Sequence, residues 1–409
     1  MEHRVAIVGQ GMVTAFGESW EENKKRILEC KNAVVTMNDW DKYDGLITHL
    51  AAPCPDFKLP EHYTRKKIRS MSKVAMMATR ASEYALIDSG LIDDPLLKSG
   101  DIGVAYGSSF GSTMAVKDFA SMLTDNTTGD LNANSYVKMM PQTTAVNISL
   151  FFGITGRIIP TSTACTSGSM AVGYAYEAIK NGYQTAMVAG GAEELSVCDA
   201  AVFDTMFATS SKNDTPELTP APFDKNRDGL VIGEGAGTLV LEEYEHAKAR
   251  GAKIYGEIIG FATNSDATHI TSPNEKTIEI CIRKAIDNAR LKPEDIGYIS
   301  AHGTGTDKGD IAESNATFNI FGDKTPISTL KSYFGHTLGA CGCIETMFAL
   351  NMMNEGWFNP NLNLKEVDPR CGNLNYIVDS PLKHQCELLI ANNFAFGGIN
   401  TSLVIKRNM

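Results

Sequence analysis

Paired cysteines are missing from this chain. Its nine cysteines, an odd number, run from Cys30 to Cys386; only Cys341 and Cys343 lie close together, and no CxxC occurs. That excludes a disulfide framework or a paired-cysteine zinc site and points to free thiols in a reducing cytoplasm. Positive charge is also short: 37 Lys and Arg face 48 Asp and Glu, a net charge of −11. Phosphate neutralisation needs clustered positive charge, so no nucleic-acid partner is expected, although one local basic patch remains open. No apolar run reaches the roughly 18 residues of a membrane span. The start, Met1 to Gly11, has neither the apolar core nor the cleavage site of a signal peptide. Low-complexity segments, charge blocks and Pro/Gly/Ser linkers are absent too. What remains is 409 residues, 43% hydrophobic and 21% charged. That is an ordinary soluble composition, long enough for two or three domains or one large duplicated fold.

Strand-like apolar runs alternate with helical patterns. The runs are Val5–Val8, Ile102–Tyr106, Thr185–Val188, Gly237–Leu241, Ile254–Ile259, Tyr298–Ser300, Cys386–Ile390 and Ser402–Ile405. Helical spacing covers Ser70–Ser89, Ser167–Lys180, Lys276–Arg290, Asp310–Ile320 and Gly339–Glu355. This alternation predicts an α/β protein. Gly9-Gln-Gly11 after the first strand suggests a dinucleotide loop, but Thr14 stands where the third glycine belongs, so a tight strand-to-helix turn is the better reading. The expected seam follows the charged stretch Glu242–Arg250, dividing the chain into 1–251 and 252–409. No sequence repeat relates the two parts.

Four segments carry candidate chemistry. Cys165 lies in Thr161-Ser-Thr-Ala-Cys-Thr-Ser-Gly-Ser-Met170, just before a helical pattern. A helix N-terminus favours thiolate, and its free N–H groups can hold an oxyanion. A small buried cysteine is the plain alternative. His302, in Ser300-Ala-His-Gly-Thr-Gly-Thr-Asp307, ends a strand and opens a loop with the hydroxyls of Thr304 and Thr306. His336, in Lys331-Ser-Tyr-Phe-Gly-His-Thr-Leu-Gly-Ala-Cys-Gly-Cys343, is also glycine-flanked; Lys331 precedes it and Glu345 follows. Either histidine alone is more often structural, but two of them with one poised cysteine form a less common set. The fourth segment, Asn393-Phe-Ala-Phe-Gly-Gly-Ile-Asn400, sets aromatics beside paired glycines, as in a mobile loop or a tight turn over core aromatics.

In this order, the four segments resemble an elongating β-ketoacyl-[acyl-carrier-protein] synthase of the thiolase superfamily. Val8–Thr14, Pro222–Gly237, Glu242–Gly251 and Asn264–Pro273 agree, so the resemblance spans nearly the whole chain. It implies a thiolase-like fold, two similar α/β halves in a five-layer α-β-α-β-α arrangement. Cys165 would accept the acyl chain. His302 and His336 would assist malonyl decarboxylation and hold the enolate, supported by Lys331 and Glu345. Phe396 would gate the site, its N–H forming the oxyanion hole with that of Cys165. Thr304 and Thr306 would contact the phosphopantetheine arm, while Phe110 and Phe203 would bind the acyl chain.

The resemblance implies no metal and no resident cofactor, since the 4′-phosphopantetheine arrives on the acyl carrier protein. That carrier is the expected partner, docking on Lys66 and Arg69. The basic run Tyr63–Lys73 would place Arg65, Arg69 and Lys73 on one helix face if the helix starts that early. The assembly would be a homodimer, or a heterodimer with a related subunit.

The residue types suit the chemistry. A thiolate exchanges readily into a thioester, and two neutral imidazoles can donate to the enolate oxygen left after CO₂ loss. Initiating synthases pair cysteine with His and Asn. Thiolases carry a second cysteine where this chain has Phe394–Gly398. Chain-length-factor-like subunits lack the nucleophile. Cys341, near a motif histidine, takes a structural reading. Ordinary fatty-acid elongation is expected, with a dedicated polyene or polyketide pathway as the alternative. Phe110 sustains that alternative by standing where long-chain synthases carry a smaller aliphatic residue, as does Phe207, near a place usually basic.

Overall fold

The computed structural model describes residues 2–55, 57–129 and 131–408. Its main sheet has eleven strands: β1 (Val5–Val13), β2 (Ile102–Gly107), β3 (Ile158–Thr161), β4 (Ala186–Glu193), β5 (Gly235–Glu243), β6 (Gly256–Ser265), β7 (Tyr298–Ser300), β8 (Pro326–Ser328), β9 (Asn375–Tyr376), β10 (Leu388–Ala395) and β11 (Ile399–Arg407). Their spatial order is β9-β8-β7-β10-β11-β6-β1-β5-β4-β2-β3.

Connectivity shows a repeat that the side chains conceal. In the first part β1 pairs antiparallel with β5, β5 antiparallel with β4, β4 parallel with β2, and β2 parallel with β3. In the second, β6, β11, β10, β7 and β8 follow with the same sequence of senses. The parts join where β1 runs antiparallel to β6, with Val5 opposite Ile258.

The helices repeat as well. After β1 comes α1 (Lys73–Asp88); before β3, α2 (Thr143–Phe152); after β3, α3 (Ser167–Lys180); and before β5, α4 (Val197–Asp204). After β6 comes α5 (Glu275–Asn288); before β8, α6 (Asp307–Phe321); and after β8, α7 (Cys341–Glu355).

Both faces of the sheet are covered, which is why its strands read as apolar runs rather than alternations. Val5, Ile7 and Met12 of β1 point into a central core with α3 and α7, while Ala6, Val8 and Val13 point into a second core with α1 and α2. On the other side Leu403 and Ile405 of β11 share the central core, and Val404 joins a third with α5 and α6. Three cores separate five layers, as the resemblance implied. α7 lies in the middle layer and is buried at every position from Cys341 to Met353. Such a helix has no polar face. It crosses α3 closely: a Cβ on Gly168 would stand 3.1 Å from the Cys343 nitrogen.

The helix expected over Ser167–Lys180 has those limits. The Ser70–Ser89 pattern is shorter at both ends, and Arg65–Ile68 is a separate single turn, so Arg65, Arg69 and Lys73 share no continuous helix. The missed strands β3, β8 and β9 are short, and the first two each carry a proline. β3 ends the sheet, where a proline is tolerated.

Candidate active site

Two equivalent turns build the centre. After β3 the chain enters a short 3₁₀ turn, Ala164–Thr166, with Ala164 at φ 51°; after β8 the turn Leu338–Ala340 opens with Leu338 at φ 45°. Left-handed backbone at non-glycine residues is strained and persists where its surroundings enforce it. The first turn carries Cys165 ahead of α3. The second follows His336 and leads into α7.

Cys165 is buried, and its thiol pKa is pushed up to about 11. Burial is the main cause, opposed by the Lys331 ammonium and by the N–H groups of Phe396 and Cys165 itself, which face the sulfur. The N–H groups near the helix end lower the pKa, as the sequence argument expects, but desolvation outweighs them and the resting group is a thiol. The same two N–H groups leave a pair of donors aimed at one point beside the sulfur.

His302 and His336 stand edge to face, ring centroids 5.2 Å apart. Burial, then the nearby Lys331 charge, pushes both well below the ordinary histidine value, so both are neutral. Their tautomers follow from their partners. The Leu338 N–H donates to His336 Nδ1 at 3.1 Å, which leaves the proton on Nε2. That Nε2 is buried without a partner among the described residues. The Asn393 side-chain amide donates to His302 Nδ1 at 3.3 Å, placing its proton on Nε2 as well. Cys165, His302 and His336 have ligand atoms within 4.8 Å of one another. Such a trio could approach a soft metal ion, but the adjacent Lys331 charge disfavours a cation there.

Lys331 and Glu345 form a buried ion pair, Nζ to Oε1 2.5 Å, and Asn393 donates to the other Glu345 oxygen at 2.8 Å. Asn393 thus links the ion pair to His302. Sequence reasoning missed its role because its only signal was membership of the Asn393–Asn400 segment. Glu313 was missed too: it accepts the N–H groups of His302 and Gly303, each at 2.7 Å, and shapes that loop. Cys341 keeps its structural reading, its Sγ–H donating to the Cys165 carbonyl at 3.3 Å.

A cavity of about 250 Å³ opens onto these groups, lined among others by Cys165, His302, His336, Thr304, Thr306 and Phe396. The two threonine hydroxyls are 2.8 Å apart. Phe203, on α4, also lines it and packs against Phe396 with centroids 5.2 Å apart. Phe207, exposed and left-handed at φ 52°, lies at the rim. Phe110 is not among the residues lining this cavity. Its loop is held by Glu193, which accepts the Phe110 N–H at 3.1 Å, and its ring stays partly exposed. Lys66 and Arg69 are exposed on the single turn, whereas Lys73 reaches inward to buried Glu234, 2.5 Å away, and leaves the basic face.

Residues 2–247 match the family described as "Beta-ketoacyl synthase, N-terminal domain", and residues 255–365 the corresponding "C-terminal domain". The chain is 36% identical over 414 residues, 99% of both proteins, to "3-oxoacyl-[acyl-carrier-protein] synthase 2" of Vibrio harveyi. A crystal structure of a β-ketoacyl synthase from Burkholderia phymatum superposes with TM-score 0.98 at 55% identity, over the whole of both chains. The ishigamide ketosynthase/chain length factor superposes with TM-score 0.91 at 27% identity, again over the whole of both.

Proposed function

This chain belongs to the β-ketoacyl synthase family, and from that premise we propose that it joins a Cys165-bound acyl group to malonyl carried on acyl carrier protein. The products are 3-oxoacyl carrier, CO₂ and free carrier. The observation that carries the reading is the unpartnered Nε2–H of His336 beside His302 and Cys165: two neutral imidazoles with donors free at the nucleophile.

The steps use this chain's own groups. Cys165 loses its proton and attacks the acyl thioester carbonyl. The Cys165 and Phe396 N–H groups hold the oxyanion, and the carrier thiol leaves with a proton. The phosphopantetheine arm of the next carrier lies along Thr304 and Thr306. Malonyl releases CO₂, and the electron pair moves onto the thioester oxygen, which accepts from His302 and His336. The resulting enolate carbon attacks the acyl carbonyl, and collapse expels the Cys165 thiolate, which takes up a proton from solvent. Lys331 and Glu345 hold the field around the histidines, and Phe396 with Phe203 closes the acyl side. No resident cofactor or metal enters these steps.

Lys66 and Arg69 receive the acidic carrier. The chain acts in the cytoplasm, a reading supported by the lack of any cysteine pairing and of any helix long and apolar enough to cross a membrane, among the described residues. It works as a dimer: β3 is an unpaired sheet edge, and Phe110, Met114, Leu123 and Leu150 expose apolar surface on the same part of the chain. Fatty-acid elongation is the leading pathway. The likeness to a ketosynthase/chain length factor supports a second reading, a polyene or polyketide ketosynthase paired with a related subunit.

The test is condensation by purified protein with acyl and malonyl carriers, read by mass spectrometry. Wild type forms 3-oxoacyl carrier. Cys165→Ser does not, and Cys165→Gln, mimicking the acylated site, still releases CO₂ from malonyl. Normal condensation by Cys165→Ser would sink the assignment.

A further inference from the structure

Three carboxyl groups lie near one another at the end of β4 and on α4, behind the residues that line the Cys165 cavity rather than among them, and they are served very unequally. Glu193 accepts from the Ser108 and Ser109 hydroxyls and from the N–H groups of Ser109, Phe110 and Gly339. Glu194 accepts from the Val74 N–H at 3.0 Å and the Ser112 hydroxyl at 2.8 Å. Asp199 is fully buried, and neither of its oxygens has a partner among the described residues. The Ser196 N–H faces it without reaching hydrogen-bonding geometry. Burial, then the Glu193 and Glu194 charges, pushes the Asp199 carboxyl up to about 8, so near neutrality it is mostly the acid.

A buried polar group without a partner is costly and uncommon in folded proteins. Its place on α4 indicates where a partner would come from. Residues four apart share a helix face, so Asp199 lies one turn from Phe203 on that face. Phe203 lines the Cys165 cavity and meets Phe396. Ala200, between them, shares an apolar cluster with Cys165. Asp204, the other buried acid of α4, is fully used by the Ile47 and Thr48 N–H groups and the Thr209 hydroxyl.

We propose that Asp199 is a specificity-determining residue that recognises a hydroxyl group at the far end of the acyl chain. This rests on the condensing reaction proposed above. A neutral carboxyl donates one hydrogen bond and accepts another, and a hydroxyl returns both. A saturated hydrocarbon end leaves Asp199 unserved. A site built to hydrogen-bond its substrate discriminates against the analogue lacking the group more strongly than an apolar pocket discriminates by a methylene.

The test compares octanoyl with 8-hydroxyoctanoyl carrier, and a longer matched pair, in wild type, Asp199→Asn and Asp199→Leu. Wild type should favour the hydroxylated chain in kcat/KM by about tenfold, as one net hydrogen bond allows. Asp199→Asn should keep most of that preference, and Asp199→Leu should reverse it. Acetyl transfer to Cys165, with too short a chain to reach Asp199, should stay within about twofold in all three. No preference in wild type, or the same preference in Asp199→Leu, overturns the proposal. So does a fall in dimer affinity for Asp199→Leu with selectivity unchanged, which would make Asp199 a subunit contact. Failure of wild type to condense even acetyl with malonyl carrier would sink the functional reading, and this one with it; a lost preference alone sinks only this one.

Discussion

Replacing Asn393 with leucine should separate the two half-reactions. The amide holds Glu345 Oε2 at 2.8 Å and His302 Nδ1 at 3.3 Å. Leucine is close in volume but donates nothing. Losing a hydrogen bond to a buried carboxylate costs about 1.5–3 kcal/mol, so a fall in Tm of several degrees is expected for a chain of this size. The functional effect is larger. Without Asn393, His302 Nδ1 is free to take the proton and turn it toward Glu345, whose carboxylate lies within 4.8 Å of a ring nitrogen. Nε2 then no longer donates to the enolate oxygen. Loss of one oxyanion donor costs roughly 10²–10³ in rate. With the proton shared between nitrogens, about 10–100-fold is expected for CO₂ release from malonyl carrier. Acyl transfer to Cys165 relies on the Cys165 and Phe396 N–H groups and should change less than threefold. Asn393→Ser, a shorter donor, should restore part of the loss. The assays are CO₂ release and intact mass of the acyl enzyme. A parallel fall in both half-reactions, or unchanged CO₂ release in folded Asn393→Leu, would refute the tautomer argument.

Reversing charge at Lys66 and Arg69 should raise KM for acyl carriers, with the effect shrinking at high salt; an unchanged KM at low salt rejects the patch. Lys73→Glu should instead lower stability, since it would set a second carboxylate against buried Glu234. Phe110→Ala should admit longer saturated acyl groups without speeding short ones if a second subunit turns that ring toward the acyl chain, as competition among carriers of rising length would show. In Asp199→Asn the pH dependence of stability should flatten. The folded carboxyl titrates at about 8 against an ordinary 3.8, so the native state keeps a proton the unfolded chain releases. Wild-type stability therefore falls as pH rises from about 4 to 8, by at most about 1.4 kcal/mol per unit. Denaturant midpoints of the two proteins should diverge between pH 5 and pH 8, and parallel curves would contradict a neutral Asp199.

The sequence disclosed the α/β alternation because both faces of each long strand are buried and leave unbroken apolar runs. It singled out Cys165, His302 and His336 because each stands in a loop of small residues, and the fold brings the three together. The repeat stayed hidden: it resides in strand order and sense, while equivalent positions carry unrelated side chains. The pattern over Gly339–Glu355 marked α7 as a helix but not its place in the middle layer, because a helix buried around its whole circumference has no polar face to show which side packs inward. Asn393 was not legible because it lies within a buried strand, and its role depends on His302 and Glu345, which are distant in sequence. The thiolate expectation was outweighed because local sequence reports the helix end and its N–H groups but not the depth of burial.

Since the two halves repeat one topology, each had the chance to house a nucleophile, and only one does. By position in its turn, Gly339 is the counterpart of Cys165. A Cβ there would stand 2.8 Å from the Ser109 nitrogen and 2.9 Å from Glu193 Oε2. The space that receives substrate on one side is occupied on the other by a carboxylate that ties the Gly339 N–H to the Ser108–Phe110 loop. One repeated pattern thus serves as a workshop in one half and a buttress in the other. Restoring a thiol at Gly339 would not give a second active centre; it would first have to evict Glu193, and with it the anchor of the loop that carries Phe110.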